Sequence, residues 1–176
     1  MNFRTEREVA MIGFGNEQDT MDSAPFLINT TEGQDNDISF IISFPLKGEK
    51  TIIDETGIPV LNEILGNCIP IYPDGNNTYE IIFENYVIHM TRNESYTIWD
   101  DYEIRHGKYL ILFERSRLLD SMPKFVECEL IKAVCSNAYK HYGIYCQNHI
   151  IDIITTNEPI IRHIANRNGE SNGQFN

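Results

Sequence analysis

Long apolar runs are missing from this sequence. None approaches the roughly 20 residues that a helix needs to cross a bilayer, so no helical membrane span is expected. The opening residues, MNFRTEREVAMIGFG, mix both charges and contain no apolar stretch of the kind a secretory signal requires. The expectation is a cytoplasmic protein. Cysteine is sparse as well: Cys68, Cys128, Cys135 and Cys146 stand at wide, irregular spacings with no C-x-x-C pair. That spacing argues against a disulfide frame and for four reduced, mostly buried thiols. The sequons at Asn29, Asn76 and Asn93 carry no weight without a route into the secretory pathway.

Positive charge is the next deficit. Lys and Arg number 14 against 26 Asp and Glu, a formal net charge of -12, and the pI is about 4.7. A nucleic-acid backbone would repel such a surface, so direct nucleic-acid binding is not expected. Phosphate-binding and catalytic motifs are absent too: there is no Walker loop, G-x-G-x-x-G, calcium loop, H-E-x-x-H or G-x-S-x-G elbow. No cofactor and no metal is expected.

What is present suits one modest core: 176 residues, 41% hydrophobic and 11% aromatic. Residues 1–37 read as a partly ordered acidic arm with a short strand near Ala24–Ile28, residues 38–166 as a single α+β domain, and residues 167–176 as a disordered tail. Within the domain, period-two alternation dominates. Ile38, Phe40, Ile42 and Phe44 share one face of a strand. Ile58–Leu65 has the apolar spacing of a short helix, Cys68–Tyr72 is held extended by prolines, and Asp74–Asn77 reads as a turn.

Tyr79–Thr91, Tyr96–Arg105 and Lys108–Glu114 form three β-rich runs with short polar turns, which predicts an antiparallel meander. A two-residue loop at His106-Gly107 would set Arg105 against Lys108, an unfavourable like-charge pair, so a bulge or longer loop competes. Ser116–Met122 suits a helical turn. Lys124–Ala138 alternates as a strand or spaces as a helix, with the strand preferred. A second hairpin, Tyr139–Cys146 with His149–Thr155, follows, and a terminal helix is expected over Glu158–Asn166 behind an Asn157 cap. The expected fold class is therefore α+β, a mostly antiparallel sheet with two or three short helices.

Two places could carry chemistry. With Gln147-Asn148 as a two-residue loop, Cys146 faces His149 on one side of the second hairpin, while His141 lies diagonal to Asp152 on the other. The first pair reads as a nucleophile with its base or as half a zinc site, and the second as an oriented general base. Against this, nothing nearby would lower the thiol pKa, and a carboxylate among Ile150, Ile151, Ile153 and Ile154 must be paired for structural reasons alone. The structural reading is preferred for both pairs.

The other place is YTIWDDYE, with the only Trp of the chain. Trp99, Asp100, Asp101, Tyr102 and Glu103 combine aromatic anchors with acids, the composition of an interface that selects a basic partner. On a strand they would divide into Trp99/Asp101/Glu103 and Asp100/Tyr102, with the first set favoured as the contact. The leading expectation is a non-enzymatic acidic binding protein that neutralises a basic protein, such as an immunity protein inhibiting a bacterial toxin, for example a nuclease. A small hydrolase or transferase using His141, Cys146, His149 and Asp152, and a structural or assembly subunit that lends a sheet edge, are the alternatives.

Overall fold

The computed structural model describes residues 12–16, 21–49, 57–65 and 68–164. The strands are β1 (Phe26–Glu32), β2 (Ile38–Lys47), β3 (Ile71–Phe83), β4 (Tyr86–Asn93), β5 (Ile104–His106), β6 (Leu110–Arg115), β7 (Lys140–Tyr145), β8 (His149–Thr155) and β9 (Ile160–His163). Three short helices join them: α1 (Pro59–Leu65), α2 (Arg117–Ser121) and α3 (Cys128–Val134). One sheet runs β1-β2-β3-β9 and the other β4-β8-β7-β6-β5, and every neighbouring pair is antiparallel. The fold class is α+β, as the alternation in the sequence predicts.

Alternation also builds the core. Ile38, Phe40, Ile42 and Phe44 of β2 join Tyr79, Ile81 and Phe83 of β3 in one buried cluster with Leu110, Tyr142, Ile144, Ile151 and Ile153 of the other sheet. Phe14 packs against this cluster and sets its ring edge-on to Phe83 at 5.8 Å and Tyr142 at 4.9 Å. Part of the segment expected as an acidic arm thus contributes to the sandwich, both through Phe14 and through β1. The tail over 167–176 lies outside the described residues, as do residues 1–11 and 17–20 of the arm.

The run Tyr79–Thr91 is not one strand. Asn85 adopts φ 53, a left-handed value that Asn tolerates, and its N–H donates to Asp37 Oδ1 at 3.0 Å. The chain turns there from the four-stranded sheet into the five-stranded one, and β4 pairs with β8 instead of forming a meander. Tyr96–Arg105 contributes only Ile104 and Arg105, the first two of the three residues of β5. Its hairpin with β6 keeps Arg105 opposite Phe113, and the longer loop avoids the like-charge pair with Lys108. Gly107, at φ +92, is required in that loop: a Cβ there would lie 2.4 Å from the Leu110 carbonyl oxygen.

Other elements depart from the local pattern for tertiary reasons. Asp74–Asn77 is a bulge inside β3 and not a separating turn: Ser43 pairs with Thr78, yet Pro45 pairs with Pro73. Hydroxyls of Ser43 and Thr78 both donate to the Asp74 carbonyl at 2.9 Å, which closes the bulge. The expected strand at Lys124–Ala138 is instead α3, with Leu130 and Val134 exposed. The expected terminal helix is β9, because β3 offers an open edge and Ile160 and Ile161 pair with Ile82 and Ile81. Asn157 caps no helix; its side chain donates to the Glu84 carbonyl at 3.1 Å. Residues 165–166 of that expectation lie outside the described residues.

If Phe14 is a true core residue, Phe14→Ala should lower unfolding stability by about 2–4 kcal/mol, the lower part of the range for large-to-small core changes because the ring is only partly buried. Urea denaturation followed by far-UV circular dichroism measures this; an unchanged midpoint would detach residues 12–16 from the core.

Candidate functional site

The second hairpin has the register that its isoleucine alternation predicts. Gly143 pairs with Asp152, Ile144 with Ile151 and Tyr142 with Ile153. On the outer face of the five-stranded sheet this brings His141 to Asp152, with Nε2 and Oδ1 at 3.0 Å. The imidazole stacks flat on Phe113 at 3.9 Å. Gly143 makes the face possible, since a Cβ there would sit 3.1 Å from the Phe113 and Tyr145 rings.

Two residues that the sequence did not single out complete the group. Arg92 of β4 donates through Nε and Nη2 to Asp152 Oδ2, each at 2.8 Å. Ser116 Oγ lies 2.8 Å from His141 Nδ1 and accepts the Leu119 N–H at 3.1 Å as the cap of α2. In the neutral imidazole the proton positions follow. Asp152 only accepts, so Nε2 carries the proton, and the Ser116 hydroxyl donates to Nδ1. Ser116, His141 and Asp152 are 0%, 1% and 1% exposed. A hydrogen-bonded path therefore runs from β4 through β8 and β7 to α2. Asp152 among isoleucines announces the need for a partner, but Arg92 is 60 residues away and no local pattern names it. Ser116 was legible only as the start of an expected helical turn, Ser116–Met122.

Cys146 and His149 are not brought together. The thiol is buried in the core cluster while His149 is exposed at the strand start, and the only bond between the two residues is Cys146 N–H to the His149 carbonyl at 2.8 Å. Burial pushes the thiol up to about 12, opposite to the direction that activates a nucleophile. Among the described residues, no group of three or more His, Cys, Asp or Glu is placed to hold a metal ion.

The YTIWDDYE stretch is an irregular loop, so its division into two strand faces does not hold. Asn93 Oδ1 accepts the Ser95 N–H at 2.9 Å and caps a 3-10 turn over Glu94–Tyr96. From there to Glu103 the chain makes no ladder; it is fastened by side chains. Asp100 accepts the Tyr102 N–H at 2.8 Å and the Arg117 Nε–H at 2.7 Å, and the Arg117 bond holds its carboxyl below the usual range. Glu103 is bonded to Arg105 at 2.9 Å and Tyr102 donates to Asp120 at 2.6 Å. The guanidinium groups of Arg117 and Arg115 lie 4.0 and 4.4 Å from the centre of the Tyr102 ring.

Asp100, Tyr102 and Glu103 are thus engaged internally. What the loop presents outward is Tyr96, Ile98 and Trp99, exposed at 84%, 83% and 57%, together with exposed Asp101. Trp99 rests edge-on against Tyr145 at 5.7 Å with the Arg105 guanidinium 5.1 Å from its ring centre. Tyr96 and Ile98 were missed in sequence because alternation gave them an ordinary place on a strand. Comparison with protein-family models, with curated proteins and with solved structures finds no match for this chain.

Removing the Asp152 carboxylate leaves Arg92 and His141 without their acceptor. Asp152→Ala should therefore cost about 3 kcal/mol, a value lowered from the fully buried case because Arg92 is partly solvated. An unchanged denaturation midpoint would refute the pairing. A second expectation concerns pH. The unfolded thiol titrates near about 8.5, whereas the folded Cys146 thiol is raised to about 12. Its contribution is intact below the unfolded value and is lost as pH rises toward the folded one, about 2 kcal/mol by pH 10. In Cys146→Ser that part of the alkaline slope should vanish, read from urea melts between pH 7 and 10.

Proposed function

We propose that this protein is a non-enzymatic binding protein that neutralises a basic protein partner, and that the contact is made by Tyr96, Ile98, Trp99 and Asp101. The carrying observation is the loop itself: three large apolar side chains stand in water on a segment fixed by ion pairs from beneath. Exposed aromatic anchors on a preorganised support are the features that concentrate binding energy in interfaces, since little ordering remains to be done on association. The net charge of -12 supports a cationic partner by steering encounter. An immunity protein that inhibits a bacterial toxin, such as a nuclease whose active site is basic because it binds phosphate, is the class of protein this reading favours. Of the acids first considered, Asp101 supports this reading by its exposure; Asp100 and Glu103 are engaged by Arg117 and Arg105.

A second reading, a small hydrolase or transferase, is favoured by one observation, the Ser116–His141–Asp152 order of hydrogen bonds. It requires substrate to reach a hydroxyl that is fully buried. Turnover lost in Ser116→Ala but kept in Trp99→Ala would select it.

With the partner isolated from the native host, binding kinetics separate the contributions. Trp99→Ala should raise the dissociation rate at least 30-fold, the size expected of an interface anchor worth about 2 kcal/mol. Asp101→Lys should slow association and flatten its salt dependence without moving the melting temperature. Glu103→Lys, by contrast, should lower the melting temperature through loss of its bond to Arg105. Unchanged kinetics in both Trp99→Ala and Asp101→Lys would place the interface elsewhere.

A further inference from the structure

A trough of about 510 Å³ lies beside β4, closed on its other side by Leu118, Phe125 and Val126. Its walls are aliphatic or aromatic except for His89, which sets Nε2 3.2 Å from Glu32 Oε1. Met90 and Phe125 within it stand 38% and 69% exposed. Met90, Leu118 and Phe125 are shared with a second cavity of about 300 Å³, whose other walls are Arg92, Glu103, Arg117, Ser121, His141 and Asp152. From Tyr86 to Arg92 the strand advances about 20 Å at its usual rise per residue. The two cavities therefore form one elongated trough, apolar at one end and polar at the other.

At the polar end acceptors are engaged and donors are left over. Asp152 accepts from His141 at Oδ1 and from Arg92 at Oδ2. Glu103 accepts the Arg117 backbone N–H at Oε1, 3.3 Å, and the Arg105 side chain at Oε2, 2.9 Å. Both ring nitrogens of His141 are engaged, and the Ser121 hydroxyl donates to the Arg117 carbonyl at 2.8 Å. Arg92 uses Nε and Nη2 on Asp152, and Arg117 uses Nε on Asp100. Among the described residues, Arg92 Nη1 and both Nη atoms of Arg117 have no hydrogen-bond partner. Guanidinium N–H groups only donate, so the complement of this end is an acceptor. A carboxylate is the acceptor that guanidinium groups bind most strongly and with defined geometry.

Independently of the contact proposed for the Trp99 loop, we infer that this trough binds one unbranched aliphatic carboxylate of medium chain length. Its carboxylate is held by Arg92 Nη1 and the Nη atoms of Arg117, and its chain lies over Met90, Leu118, Phe125 and Val126, covering apolar surface that water now meets. The net charge of -12 opposes the approach of an anion, but screening confines that field to about 8 Å at physiological salt. At contact, charge-assisted hydrogen bonds and burial of the chain outweigh it. A cationic head on the same chain meets only donors there and gains no bond.

Methyl resonances of isotopically labelled methionine in the whole protein read the site at Met90. Titration with sodium decanoate should shift the Met90 methyl saturably, with a dissociation constant on the order of 0.1 mM for so small a ligand, and leave the Met21 methyl in place. Decanol should bind several-fold more weakly, and decyltrimethylammonium more weakly still. Arg117→Gln, which removes the free donors and spares the Arg92–Asp152 pair, should weaken decanoate about tenfold, the size of one lost charge-assisted contact, and leave decanol unchanged. Because Arg117 also fastens Asp100, a second variant keeps its donors from the ligand without removing them: Ser121→Glu should weaken decanoate alone. Phe125→Ser, at an exposed wall of the apolar end, should weaken decanoate and decanol alike. No saturable shift at Met90, equal affinity for decanol or decyltrimethylammonium, or decanoate binding unchanged in both Arg117→Gln and Ser121→Glu would overturn the inference.

Discussion

A carboxylate at the centre of an isoleucine strand must be answered, and the way Asp152 is answered organises one side of this molecule. It occupies β8, buried on both faces, and draws Arg92 from β4 and His141 from β7. His141 in turn reaches Ser116, the cap of α2. Helix α2 then supplies Arg117 to Asp100 and Asp120 to Tyr102, the bonds that fasten the loop carrying Trp99. Burial of one charge thus reaches the surface through a chain of directional contacts. The buried links to Asp152 each contribute about 1–3 kcal/mol, and severing them leaves several polar groups without partners at once.

The acidity of the chain plays a different part from the one the YTIWDDYE composition suggests. Asp100 and Glu103 face Arg117 and Arg105, so the densest group of acids is largely neutralised where it stands. The more exposed of the two pairs, Asp100–Arg117, adds little stability by itself. The value of the pairs is geometric, since they hold an irregular backbone that has no ladder of its own. The long-range field of a -12 protein remains available for steering, and the proposed binding role assigns short-range recognition to the apolar groups at the loop apex.

The sequence was most legible where one local rule sufficed. In the β7–β8 hairpin, a two-residue loop and a period of two fix the register, and a slip by one residue would have turned Ile144 and Ile151 out of the core. The pairing of His141 with Asp152 followed from that register. Legibility ended where a distant edge decided the matter. Glu158–Asn166 has a capping residue and a first-turn Pro, yet β3 offered Ile160 and Ile161 an open ladder. The run Tyr79–Thr91 looks continuous because alternation does not reveal that Asn85 turns left-handed against Asp37. Leu130 and Val134 of α3 stay exposed, so no packing argument could have separated helix from strand there. For the site, composition marked Trp99 correctly as distinctive, but taking its segment as a strand concealed Tyr96 and Ile98.

The order Ser116, His141, Asp152 invites a catalytic interpretation, and the chemistry of each atom weighs against it. A nucleophilic hydroxyl must approach an electrophile while its proton passes to the base. Here Oγ already accepts the Leu119 N–H, so moving it toward a substrate would uncap α2, a loss of about 1 kcal/mol, and would open a fully buried contact. Ser116 also engages Nδ1 and Asp152 engages Nε2, with Arg92 bound to the remaining oxygen. Every acceptor of the triad is satisfied by the fold. The same bonds that create the resemblance hold α2 in place, and through Arg117 and Asp120 they hold the loop. A rigid loop is what a binding surface of exposed aromatics needs, because side chains ordered before association lose less entropy when the partner arrives. The buried relay and the exposed apex are two ends of one support.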